Sequence, residues 1–189
     1  MILLVLGLVL FLGIHSISIV NEPFRNQAAK RLGEMPWKAV YSSIAAIGLL
    51  ALIVGYGQAR LDPVVIYTPP SWMRHLSMLL LVPVFPLLLA AYLPGKIQRT
   101  TRHPMLVATK LWATAHLLCN GTLADVLLFG SFLAWAVADR ISMKRRTPRE
   151  TPVALTGPTN DLIAAVAGLL IYVAFVFGLH EIFVGIAVV

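Results

Sequence analysis

Charge is what this chain has least of. Only 12% of its 189 residues are charged and 59% are hydrophobic, about half the charge of an ordinary soluble domain. Cysteine is nearly absent. The single Cys119 excludes an intrachain disulfide framework and a multi-cysteine zinc site. No two glycines stand four residues apart, so the GxxxG face that dimerises membrane helices is missing. No internal repeat is present. Acidic residues are scarce, with 8 Asp and Glu against 15 Lys and Arg and a net charge of +7. In a soluble protein that balance would suggest nucleic acid. Here the basic residues lie between apolar runs, so they point to membrane topology and contact with anionic lipid, and no nucleic-acid partner is expected. The first apolar run also lacks a basic segment before it and is too long for a typical signal peptide. It reads as a retained transmembrane helix.

What is present is apolar sequence in six runs, over residues 2–20, 39–58, 76–93, 104–119, 123–138 and 162–180. A crossing needs about 20 residues, roughly 17 at the short end, so the fourth and fifth runs are short. Asn120-Gly121-Thr122 joins them. Twelve of the fifteen Lys and Arg fall in the connections after the first, third and fifth runs, as Arg25, Lys30, Arg31, Lys38; Lys96, Arg99, Arg102; and Arg140, Lys144, Arg145, Arg146, Arg149. Arg60 and Arg74 fall on the other side, and Lys110 lies inside the fourth run. This alternation predicts an all-α polytopic membrane bundle of six transmembrane helices, with both termini outside. Pro83 and Pro86 should kink the third span. Residues 147–160 read as a polar, flexible cytoplasmic loop.

An ionisable group inside a span needs a partner or a task. The candidates are His15, Lys110, His116 and Asp125, with His75, His103, Asp139 and His180 at span ends. Pro104 suits the first helical position, which makes His103 the N-cap residue. At ~100° per residue, Met105, Thr109, Trp112, His116 and Asn120 share one stripe, expected to face the bundle. In the first span, Leu4, Gly7, Phe11, His15 and Ser18 share a face. Two histidines on facing helices can hold a haem. Depth works against pairing these two: His116 stands ~18 Å from the cytoplasmic start of its helix and His15 ~8 Å from the cytoplasmic end of its own, at 1.5 Å per residue. His15 with His103 or His116 is one cluster open to the chain, and His75 with His180 another. Each histidine also has a structural reading, as a hydrogen bonder between helices. The structural reading has Lys110 snorkel, Asp125 cap the fifth helix, and Asp139 sit with Arg140 at a solvated helix end.

The string RHP-M-L…W…AH-LL-NG over residues 102–121, followed by LLFGSFLAWAVADRISMKRR, closely resembles the NnrU family of bacterial membrane proteins. His15-Ser16 and the closing pair His180 and Gly185 match it too. The resemblance spans nearly the whole chain and implies one NnrU-like transmembrane domain over residues 1–189 in the bacterial inner membrane. The family is named for its association with nitrite and nitric oxide reduction, and is similar to the 15-cis-ζ-carotene isomerases, membrane enzymes that use haem b. In those, the proposed iron ligands match His15 and His116. The resemblance therefore implies haem b on His15 and His116, with Arg102, His103 or Arg99 near its propionates, and either a role in nitrogen-oxide reduction or a redox-gated isomerisation of a small lipophilic substrate. The chain departs from the pattern at Thr122, where an acidic residue is expected, with Asp125 three residues on. Two other readings stand beside this one. One is a non-catalytic assembly factor for nitrogen-oxide reductases, acting on partner membrane proteins. The other is an enzyme like the isoprenylcysteine methyltransferases, which share the RHP start but carry a Glu-Glu pair where this chain has only Glu150.

Overall fold

The computed structural model describes residues 1–147 and 153–188. Residues 148–152 of the expected 147–160 loop, Arg149 and Glu150 among them, lie outside the described residues. Helix α1 (Ile2–Val20) coincides with the first expected span. Asn21 ends it, and its side chain accepts from the Phe24 amide to start α2 (Glu22–Leu32), with Pro23 in the first turn. Gly33, at φ +89°, separates α2 from α3 (Glu34–Ala59). The third apolar run forms α4 (Met73–Leu81) and α5 (Val84–Ala90), broken at Val82-Pro83 as the proline predicts. Then come α6 (Lys96–Thr101) and α7 (Pro104–Cys119). Thr122 caps α8 (Leu123–Ser142). The last run forms α9 (Asn160–Ala174), a π-helical stretch (Phe175–Leu179) and α10 (His180–Val184). Among the described residues the only β pairing given is an isolated bridge between Val65 and Thr122.

Two compact units arise from this order. The first comprises Met1–Pro69 and Asn120–Pro148, the second Pro70–Cys119 and Arg149–Val189. In the first unit, α1 and α3 pack closely and α8 packs on α1. The contact depends on small residues. A Cβ on Gly55 would collide with the Leu4 backbone, and one on Gly48 would sit 2.7 Å from the Phe11 nitrogen. Leu4, Leu8, Leu52, Ala59 and Ala124 form its buried core. The segment after α3 is tied to the start of α8 by Ile66 N–H to Gly121 O at 2.8 Å and Leu123 N–H to Val64 O at 2.8 Å.

In the second unit, α5 packs on α9 and on α7, and α4 packs on α7. Val84, Leu87 and Ala108 form the core, with Leu111 and Trp112 packed against it. Gly168 of α9 lies against the Pro86 backbone of α5, where a side chain would collide. The Tyr172 hydroxyl donates to the Met78 carbonyl at 2.9 Å.

Four helical stretches are long and apolar enough to cross a membrane: Ile2–Val20, Glu34–Ala59, Met73–Ala90 and Asn160–Val184. Their outward surfaces match that reading, because Leu6, Val9, Leu50, Ile53 and Leu170 are all exposed and a soluble monomer would not leave so much apolar surface in water. With sixteen residues, α7 reaches only ~24 Å at 1.5 Å per residue, short of a ~30 Å hydrocarbon core. Helix α8 has the length but contains Asp125, Asp139 and Arg140.

Candidate functional site

His15 lies five residues from the end of α1, and its ring is held by its own helix. Nδ1 is 2.6 Å from the Phe11 carbonyl oxygen. A carbonyl only accepts, so Nδ1 carries a proton, and the tautomer this selects is the one with its lone pair on Nε2. Three elements supply the surroundings. Phe11 lies tilted against it at 4.3 Å, Tyr41 of α3 meets the ring edge at 5.2 Å, and Trp135 of α8 stands perpendicular to it at 6.0 Å. Phe132 extends this wall through Phe11, at 5.7 Å. The Trp135 Nε1 is buried and has no hydrogen-bond partner among the described residues. An orphaned buried donor costs free energy unless something accepts from it.

One turn beyond Trp135, Asp139 is 7% exposed. This corrects the expectation of a solvated helix end. Arg146, from the basic run read only as a topology signal, folds back and pairs with the Asp139 carboxylate. The Ser142 hydroxyl donates to the Asp139 carbonyl at 2.8 Å. A carboxylate this buried needs such a cation, since burial of an unpaired charge is far costlier than the pair. The Arg146 Nε is itself buried without a partner among the described residues.

His116 repeats the local device in the second unit. Its Nδ1 is 2.8 Å from the Trp112 carbonyl, and the Trp112 ring lies 5.3 Å away. The stripe expected to face the bundle is only partly buried, and Met105 on it is 41% exposed. The fully buried positions of α7 are Pro104, Leu106, Ala108, Ala113 and Ala115. Alanines let neighbouring helices approach closely, so they take the buried sides, and the bulkier stripe is left partly buried, with Trp112 against the core of the unit.

Each of the other candidates has its own place within its unit. His103 does stand at the N-terminus of α7, where its carbonyl accepts from Val107 N–H at 3.2 Å. Arg102, at φ +61°, turns the chain from α6 into α7 and is exposed, as is Arg99. His75 is exposed, and the His180 Nδ1 lies 2.8 Å from the Ile186 carbonyl. Asp125 is 5% exposed and does cap α8. It accepts from the Tyr56 hydroxyl at 2.6 Å, the Thr122 hydroxyl at 2.6 Å and the Thr122 amide at 2.9 Å. That network is structural.

Sequence reasoning missed Tyr41, Trp135 and the Asp139–Arg146 pair. It also missed a clamp in the second unit, where Asp161 accepts from the Lys96 and Ile97 amides at 2.7 and 2.9 Å and Asn160 donates to the Pro94 carbonyl at 2.9 Å. The sequence signals were an Asp and an Arg seven residues apart, and an Asn-Asp pair opening an apolar run.

No group of three or more His, Cys, Asp or Glu able to hold a metal ion forms among the described residues. A haem needs less from the protein, namely imidazole nitrogens presented in a fixed tautomer within an apolar setting. Within each unit one imidazole meets that need: His15 and His116 each engage Nδ1 with a backbone carbonyl, which leaves Nε2 as the lone-pair nitrogen.

The fold and composition define a polytopic helical membrane protein. Within that class, the chain belongs to the NnrU protein family, whose sequence model matches residues 3–188. No match was found among the curated proteins or among the solved structures.

Proposed function

We propose that this NnrU-family protein binds haem b through the imidazoles of His15 and His116, within a six-span bundle whose two termini face outward and whose basic connections face the cytoplasm of a bacterial inner membrane. The observation that carries this reading is the shared tautomer-fixing bond, Nδ1 to the carbonyl four residues back, at 2.6 Å for His15 and 2.8 Å for His116. When bound, haem b would supply one-electron chemistry whose potential the axial ligands tune. The protein's own part is positioning. The Phe11 carbonyl fixes the His15 ring, and Phe11, Tyr41 and Trp135 give it an aromatic setting. The Trp135 and Arg146 donors suit an acceptor oxygen of such a ligand. Arg99 and Arg102 are exposed cations of the second unit available to its carboxylates. A haem protein of this kind would serve the nitrite and nitric oxide reduction for which the family is named, or a redox-gated isomerisation of a lipophilic substrate.

The test is haem content. Protein purified from haem-replete cells should yield a pyridine haemochrome of b type, and His15→Ala and His116→Ala should each lower the haem-to-protein ratio. A wild-type protein without haem would overturn the reading and turn attention to a non-catalytic assembly role. Reporter fusions in each connection test the topology. A reporter after α1 that is active outside the cytoplasm would reverse the orientation.

A further inference from the structure

We infer that α2 is an interfacial helix that lies along the bilayer surface and binds the headgroups of anionic phospholipids. Its place comes from its neighbours. It joins α1 and α3, two helices long and apolar enough to cross a membrane, packed against each other along their length. Asn21 and Gly33 form its two corners, with the Asn21 cap at one end and φ +89° at the other. A short helix between two such spans has to sit at a membrane surface.

Its composition fits that surface. No residue of α2 is buried by the protein, although eleven residues make a marginal helix without packing. At ~100° per residue, Phe24, Ala28 and Leu32 form one stripe. Phe24 is 56% and Leu32 54% exposed. Arg25 and Arg31 flank that stripe on its two sides, while Asn26 and Lys30 lie opposite. Arginines beside an apolar stripe can lay their stems along the acyl boundary and carry their guanidinium groups up to phosphate. The stripe thus fits hydrocarbon, and its flanks fit anionic headgroups. Nearby, the Arg25 guanidinium lies 5.9 Å over the Trp37 ring, which sets the helix against the start of α3, and Lys38 is spent on Glu34 at 2.6 Å.

The test uses the full chain in nanodiscs of phosphatidylcholine, with and without phosphatidylglycerol. A nitroxide is placed at Leu32→Cys or Asn26→Cys in a Cys119→Ser background. At position 32 the label should collide with oxygen and be shielded from an aqueous nickel chelate. At position 26 the order should reverse. Phosphatidylglycerol should deepen the shielding at position 32. Each basic side chain at an anionic surface is worth about fivefold in a partition equilibrium, so Arg25→Gln with Arg31→Gln should lose roughly a factor of twenty-five in that lipid preference. The Arg25→Lys, Arg31→Lys pair should keep most of it, which separates headgroup binding from misfolding. Nickel access at both positions would put the helix in water and overturn the inference. Shielding of position 32 from oxygen and nickel alike would mean a protein partner, such as a second copy, covers the stripe. Equal behaviour in both lipids would overturn headgroup binding.

Discussion

His15 and His116 use one local device in two different settings. Each donates from Nδ1 to the carbonyl a turn earlier in its own helix. Around His15, three helices of the first unit contribute aromatic rings, and a buried ion pair lies one turn beyond Trp135. Around His116, the tryptophan of its own helix supplies a ring contact, and the alanines rather than the histidine stripe take the buried sides. The backbone bond alone would orient a histidine anywhere in a helix. What distinguishes the first unit is that the orientation is combined with rings from three helices and with two nitrogen donors, Trp135 Nε1 and Arg146 Nε, that are buried without a partner among the described residues.

The largest effect expected to sharpen this contrast comes from the ion pair. Arg146→Met should leave the Asp139 carboxylate buried without a cation and cost about 3–5 kcal/mol, read as a lowered unfolding midpoint in detergent. Asp139→Leu combined with Arg146→Met should recover most of that loss. If Arg146→Met leaves stability unchanged, Asp139 is solvated and the contrast between the two histidine settings fails.

A smaller effect should come from Gly55→Ala. Its Cβ would meet the Leu4 backbone, and overpacking of this kind costs about 1–3 kcal/mol. Hydrogen exchange should quicken in α1 and α3 while α5 and α9 keep their protection. Equal loss in both units would show that they do not behave as separate compact bodies.

The two capping carboxylates give effects of that size or less. Asp125→Ala removes three hydrogen bonds from a buried network and should cost about 1–3 kcal/mol. Asp161→Ala should speed exchange of the Lys96 and Ile97 amides alone. A global loss from Asp161→Ala larger than that from Asp125→Ala would reverse the order.

Much of the frame was legible because apolar runs and their punctuation are local. Helices α1 and α7 match the expected spans end to end, and α7 begins at Pro104 for the reason proline favours a first helical position. The break at Val82-Pro83 follows from the ring. Other features were not local. Asp139 looked solvated because it adjoins Arg140, and the seven-residue spacing to Arg146 is too weak a signal to show that arginine folding back. The glycines that seat α3 on α1 stand seven residues apart, Gly48 and Gly55, so a search for a four-residue spacing passes them by. The aromatic wall around His15 draws Tyr41 and Trp135 from distant helices, which no periodicity within α1 reveals. Asp161 reaches amides some sixty-five residues earlier in the chain.

The central claim is that the His15 setting holds a haem ligand, and the most direct measurement is a reduced-minus-oxidised visible spectrum of the detergent-purified protein beside His15→Ala and Trp135→Phe. A b-type difference spectrum that is lost or strongly weakened in His15→Ala, and shifted but retained in Trp135→Phe, is the predicted result. A b-type spectrum identical in all three proteins would place the ligands elsewhere and contradict the account.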